Sequence, residues 1–182
     1  MYAATTLPTA RLIVRTVRSE DAAQLLAYHE RNREHLRPWE PDPPPHFFSL
    51  PYWDRFAAGS DEGIGSRMRF VAREPDSEPI VASVNLQSIE HGVFSGAVLG
   101  YSVDAAYEGR GYGREAVAAI VDFAFGTLRL HRLEANYQPT NERSGKLLRA
   151  LGFVVEGYAR DYLFLNGAWR DHVLTSRTNP AS

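Results

Sequence analysis

The stretch VLGYSVDAAYEGRGYGREAVAAIVDFAF, Val98 to Phe125, decides the fold. Its first six residues, Val98 to Val103, are short, apolar and β-rich and read as a strand. From Gly111 to Phe125 the apolar side chains Ala116, Val117, Ile120, Val121 and Ala124 fall on one helical face. Between strand and helix stands Glu108-Gly109-Arg110-Gly111-Tyr112-Gly113-Arg114. Its three glycines allow positive φ and close backbone approach, and the first-turn N–H groups of the helix have no partners within it. Such a turn forms an anion nest that suits a pyrophosphate, with Arg110 and Arg114 adding charge. The same glycines also suit a turn that only packs tightly, so both readings stand at this point.

The elements on either side complete the order. Downstream, Gly126 stops the helix, Arg132 to Gln138 reads as a strand, and Asn141 caps a helix ending at Leu151–Gly152. Two runs, Val154 to Leu165 and Ala168 to Thr175, flank Asn166–Gly167, the strongest short-range hairpin signal. Upstream, Arg11 to Val17 reads as a strand. Ser19 is placed to cap a helix over Glu20 to Asn32, and Arg67 to Arg73 and Ile80 to Ile89 read as antiparallel strands. Arg37 to Trp53 carries six prolines, which forbid a regular helix or central strand. Its Trp39, Phe47, Phe48, Tyr52 and Trp53 are unlike linker residues, so it reads as a structured loop beside a pocket, with a short helix near Tyr52 to Ala58. The result is an α/β (α+β) chain: a mixed, mostly antiparallel central sheet of about seven strands with helices on both faces.

Composition narrows the chemistry. At 182 residues the chain is expected to be one domain over 1–182, with 1–8 and 179–182 as flexible ends. No cysteine means no disulfide, thiolate nucleophile, iron–sulfur cluster or Cys-based zinc site. The net charge of −2 gives no general attraction to nucleic acid or to an anionic membrane. No apolar run approaches the roughly 20 residues that span a bilayer, and Met1 to Ala10 lacks a basic start and an apolar core, so a cytoplasmic location is expected. Nineteen of the 20 basic residues are Arg, with Lys146 the exception, a bias that says little about function.

Familiar nucleotide motifs fail. Three consecutive strands break the alternation of a Rossmann domain, and neither spacing nor position matches G-x-G-x-x-G. In SGKLL, Lys146 is followed by Leu147, and Thr140 stands where a P-loop needs its first glycine. There is no Gly-x-Ser-x-Gly elbow and no His-Glu-x-x-His, so no metal is expected.

Against this background the chain resembles the GNAT acyltransferase superfamily, whose element order matches and whose acyl-CoA motif is Q/R-x-x-G-x-G/A. Glu108, Gly111 and Gly113 occupy that motif, with Glu108 departing from the usual Gln or Arg. The segments LRPWEP (Leu36 to Pro41), LGYSV (Leu99 to Val103), EGRGYG (Glu108 to Gly113), ANYQPTNERSGKLLRALGF (Ala135 to Phe153) and EGYARDYLFLNGAWRDHVL (Glu156 to Leu174) look like the ribosomal-protein alanine N-acetyltransferases.

The resemblance implies a GNAT fold and acetyl-CoA as cosubstrate. Pyrophosphate is then expected on the amides of Arg110, Gly111, Tyr112, Gly113 and Arg114, and the pantetheine arm along the strand at Tyr101, Ser102 and Val103. Asn141 and Ser144 match the family's Asn-x-x-Ser, which implies that Asn141 contacts the pantetheine or bound water and that Ser144 is the general acid at the sulfur. Glu134 and Glu40 are the candidate bases, acting through water; Asp161 and Asp171 are further carboxylates in the terminal hairpin. Glu134 and Asn136 share strand parity, and Trp39, Asn136 and Tyr137 are candidates to hold the acceptor. The expected acceptor is a protein N-terminal amine, such as the alanine of a ribosomal protein, because an α-amine near pKa 7.7–8.0 needs less help than a lysine near 10.4. Alternatives are a small-molecule amine (antibiotic or polyamine) and a non-catalytic CoA-binding or ribosome-assembly module. Neither a direct nucleic-acid partner nor a membrane is expected, and the chain is expected to be a monomer or homodimer.

Overall fold

The helix opened by the Gly-rich turn runs over Tyr112–Gly126 (α4) and lies across one face of a single mixed sheet. The computed structural model describes residues 4–59 and 67–181. The strands are β1 (Thr6–Pro8), β2 (Ile13–Thr16), β3 (Met68–Arg73), β4 (Ala82–Glu90), β5 (Gly96–Val103), β6 (Arg132–Glu134), β7 (Val154–Leu165) and β8 (Ala168–Thr178). They pair in the order β1-β2-β3-β4-β5-β6-β8-β7, eight strands where about seven were expected. The additional one is β1, in a stretch read as a loose end. Thr6, Leu7 and Pro8 pair with Arg15, Val14 and Ile13, a strand too short to show alternation and one that Pro8 disguises. Of the ends read as flexible, 1–3 and 182 lie outside the described residues. Every neighbouring pair is antiparallel except β5 and β6, which run parallel.

Helices cover both faces. On one, Ala116, Val117, Ile120 and Val121 of α4 and Leu148 of α5 (Glu142–Ala150) pack with Phe70, Leu86, Leu99 and Leu133 from the sheet. On the other, Leu25 and Tyr28 of α1 (Ala22–Arg31) and Trp53 of α3 (Leu50–Ala57) pack against Val71 and Ile80. A single turn, α2 (Arg33–Leu36), leads into the proline-rich loop. Leu148 is 1% exposed; burying such a side chain is worth about 1.5–3 kcal/mol, and it fixes the helix whose first turn carries Ser144.

Local signals differ from the structure in two places. Ser19 caps nothing. It lies in a 3-10 turn, Ser19–Asp21, and α1 begins after Asp21, whose buried carboxylate accepts from Arg15 at 2.6 and 2.7 Å and from Arg73 at 2.6 Å. The strand expected over Arg132 to Gln138 stops at Glu134, with one further bridge between Tyr137 and Val173. The hairpin is as read: Asn166 and Gly167 take φ of 51° and 75°, the left-handed pair that a two-residue turn requires. Among the described residues no helix is long and apolar enough to cross a membrane.

Candidate active site

The site begins where β5 and β6 part. They pair only from Gly96–Arg132 to Val98–Glu134. β5 continues to Val103 with β4 on one side. The chain after β6 instead turns to β8, with Ala135 N donating to Thr175 O at 3.0 Å and Tyr137 and Val173 exchanging bonds of 3.2 and 2.8 Å. Leu99 to Val103 is therefore left beside a wedge, with the backbone groups that point away from β4 free of a neighbouring strand. A ligand bearing amides can pair there as an extra strand does.

At the end of that edge lies the nest. Gly109 and Gly111 take φ of 73° and 79°, and Gly111 is the N-cap of α4. Gly113 is required by packing: a Cβ there would lie 2.7 Å from Val103 Cγ2 and 3.3 Å from Leu147 Cδ1. The absent side chain lets the first turn of α4 sit directly on β5 and α5, with its unpaired N–H groups at the wedge's mouth. The loop is held from behind. Arg11 donates to Arg110 O at 2.9 Å and stacks 4.4 Å from the Tyr112 ring, whose hydroxyl bonds Glu74. Tyr112 is thus left with its backbone amide for a ligand. Glu108, the departure from the motif, faces Arg143 of α5 and His35 Nε2 at 3.4 Å, so the charge it adds is met.

Across the wedge, Asn141 caps α5 by accepting from Ser144 N at 3.1 Å. This cap fixes the first turn and points Ser144 Oγ at the hydroxyl of Tyr101 on β5, 2.8 Å away. Burial pushes the Tyr101 phenol up to about 12, so it remains protonated and able to donate. Ser102, next on β5, accepts from Tyr28 OH at 3.0 Å.

Tyr101, Ser102, Asn141 and Ser144 form one wall of a cavity of about 950 Å³. The nest and Val103 lie outside it. Trp39, Glu40, Asn136 and Tyr137 also line it, so the proline-rich loop does form a pocket wall. The loop is tied across the opening: Gln138 Nε2 donates to Pro38 O at 2.9 Å, and Arg37 Nε to Asn166 Oδ1 at 3.4 Å in the hairpin turn. Asn136 Oδ1 accepts from Thr175 N at 3.1 Å, which fixes its amide against β8. The Tyr137 ring fills the space left by Gly145, where a Cβ would meet it at 2.8 Å.

The two candidate bases separate. Glu134 is not part of the cavity wall. It sits where β6 is still paired with Val98, before the strands part, and its carboxylate accepts from Arg132 Nε at 2.9 Å. The Glu40 carboxyl lines the cavity with no hydrogen-bond partner among the described residues, and burial pushes it up to about 7. Asp171 in the hairpin is occupied by Tyr158 OH at 2.6 Å and Asp161 N at 2.9 Å.

Other wall residues were not anticipated. Ser83, Asn85 and Gln87 project from one face of β4 into the cavity, a period-two polar run inside an apolar strand that could have been read as a solvated edge. His29 stacks on Trp53 at 4.5 Å and 16°, and burial lowers its pKa to about 4, keeping it neutral. Tyr162 and His172 come from the hairpin.

A family model described as an acetyltransferase (GNAT) domain matches residues 11–154. The [ribosomal protein uS5]-alanine N-acetyltransferase of Escherichia coli is 40% identical over 176 residues, 96% of this chain and 91% of that protein. The crystal structure of ribosomal-protein-S5-alanine acetyltransferase from Vibrio fischeri superposes with a TM-score of 0.89 at 37% identity, covering 97% of each chain. Mycobacterium smegmatis RimJ, solved in complex with CoA-disulfide, gives a TM-score of 0.85 at 30% identity over 96% of this chain and 86% of that one.

Proposed function

The chain belongs to the GNAT acetyltransferase family, and from that premise we propose that it acetylates the α-amino group of a protein N-terminus, an alanine of a ribosomal protein, in the cytoplasm and as a single catalytic domain. It is an acetyl-CoA-dependent N-acetyltransferase with the GNAT fold. The residues present fit acetyl-CoA: the nest at Arg110 to Arg114 takes the pyrophosphate, and the free edge at Tyr101 to Val103 takes the amides of the pantetheine arm. Bound there, acetyl-CoA supplies an activated acetyl group as a thioester.

The observation that carries the mechanism is that Glu40 and the Tyr101–Ser144 pair line one cavity at the free edge of β5. Glu40, with its carboxyl near 7, takes the proton that the attacking amine must lose, directly or through a water. An α-amine near pKa 7.7–8.0 is close enough for this exchange, whereas a lysine near 10.4 is not. Ser144, backed by Tyr101, donates to the departing sulfur. A thiolate whose conjugate acid is near 8.5 needs stabilisation more than full protonation, and a phenol near 12 supplies a hydrogen bond without giving up its proton. Asn141 keeps Ser144 in place. Backbone N–H groups of the β5 edge hold the thioester oxygen.

Charge separates the acceptors. A polycation calls for a strongly acidic wall. Here Glu34, Glu40 and Asp42 are only partly offset by Arg33 and Arg37, which leaves the wall weakly rather than strongly acidic and favours a peptide carrying one amine. The charge at Glu108, where the acyl-CoA motif has Gln or Arg, is met by Arg143, so this departure gives no support to a non-catalytic module. Mass spectrometry of alanine-starting peptides incubated with the protein and acetyl-CoA tests the reading: one acetyl group on the α-amine supports it, and acetylation confined to lysine or to polyamines refutes it.

A further inference from the structure

The terminal hairpin contains an irregularity that serves the cavity. On β7 the pairing jumps from Ala159, opposite His172, to Leu163, opposite Arg170. Arg160, Asp161 and Tyr162 therefore stand against Asp171 alone. Asp161 takes φ of 49°, and the Asp171 carboxylate pins the bulge by accepting from Asp161 N and Tyr158 OH. A bulge of this kind re-aims side chains, and here it brings the Tyr162 ring to 5.4 Å from the His172 ring, with both lining the cavity.

His172 is only 4% exposed, and its ring is fixed at one nitrogen. Nδ1 lies 3.0 Å from Arg170 O. A carbonyl can only accept, so Nδ1 carries the proton and Nε2 of the neutral ring holds a lone pair. Among the described residues Nε2 has no hydrogen-bond partner, and it is not one of the buried side-chain atoms left unsatisfied, so it is open to the cavity that His172 lines. A donor that enters the cavity can reach this nitrogen. Phosphate, carboxylate and thioester oxygens only accept, so none of them can fill this role. A primary amine can.

We propose that His172 Nε2 accepts a hydrogen bond from the α-amino group of the acceptor, making His172 an acceptor-binding residue that orients the nucleophile. The inference rests on the acceptor reading above. A neutral amine has two N–H bonds and one lone pair. With one N–H held by His172 and the other given to Glu40 or its water, the lone pair is turned toward the thioester carbon. As the C–N bond forms and the C–S bond breaks, the proton leaves through Glu40. His172 gains none.

The test uses steady-state kinetics on an alanine-starting peptide with three variants, each checked for folding by thermal unfolding. His172→Asn keeps a donor for Arg170 O and loses the acceptor at the Nε2 position. His172→Phe keeps the ring against Tyr162 and loses both nitrogens. His172→Gln carries its amide to the Nε2 position. The expected result is an acceptor KM raised about tenfold or more in the Asn and Phe variants, an acetyl-CoA KM unchanged within about threefold, and an acceptor KM near the wild-type value in the Gln variant. An unchanged acceptor KM in either folded variant lacking Nε2 overturns the proposal, and so does an acetyl-CoA KM that rises in step or a Gln variant as impaired as the Asn one. If the wild-type protein acetylates no α-amine at all, the acceptor reading has failed and the inference falls with it.

Discussion

The hydroxyls of Tyr101 and Ser144 lie 2.8 Å apart and join β5 to the first turn of α5 at the edge where β5 and β6 separate. Two groups sharing one proton network act as a unit, so their losses should not add. Tyr101→Phe and Ser144→Ala should each lower kcat by about 10²-fold, the lower end for a positioned proton donor, and the double variant should lose little more. Strictly additive losses in a double-mutant cycle would separate the two residues' roles.

Close approach at Gly113 gives a prediction for the cosubstrate alone. A Cβ there meets Val103 Cγ2 at 2.7 Å, and a β-branched neighbour has little freedom to retreat. Gly113→Val should weaken CoA binding by tenfold or more, roughly 1.4 kcal/mol. Gly111→Val should do the same by straining a φ of 79°. Calorimetric titration of folded variants with CoA measures both, and unchanged affinity would place the anion elsewhere.

The raised carboxyl of Glu40 makes two pH signatures. For activity, the base must be ionised, so kcat/KM should rise through about pH 7 for Glu40 and again through about 7.7–8.0 for the amine. Glu40→Gln should keep only the amine's limb, at a lower plateau. For stability the sign is opposite to that of a paired carboxylate. The folded-state pKa lies above the unfolded one, so the contribution is fully present below about pH 4.3 and is lost as pH rises through about 7. Thermal unfolding should therefore show Glu40→Gln gaining on the wild type at pH 8 and not at pH 4.

Trp39 lines the cavity and the nest does not. Trp39→Ala should raise the acceptor KM while leaving acetyl-CoA affinity nearly unchanged, as kinetics with each substrate varied in turn will show. An equal loss of acetyl-CoA affinity would move this loop to the cosubstrate side.

What the sequence disclosed was what is local. Gly109, Gly111 and Gly113, the Asn166–Gly167 turn and the Asn141 cap each act within a few residues, so their chemistry is written in adjacent letters. The parting of β5 from β6 depends on where two strands 36 residues apart, such as Gly96 and Arg132, stop pairing, and no periodicity encodes that. The same holds for Glu134, which shares parity with Asn136 yet sits before the split and belongs to Arg132. The Tyr101–Ser144 bond joins two segments that are individually legible but whose meeting requires the fold. His172 was hidden in an alternating strand, because the bulge that frees it lies on the opposite strand.

The central claim is transfer of one acetyl group from acetyl-CoA to the α-amine of an alanine-starting protein chain. It is tested most directly by comparing kcat/KM for an alanine-starting peptide, the same peptide with its α-amine blocked and a free lysine, and spermidine. The account predicts that the first is turned over fastest, with the α-amine acetylated, and that blocking it abolishes turnover. Faster acetylation of the lysine or of spermidine would contradict it.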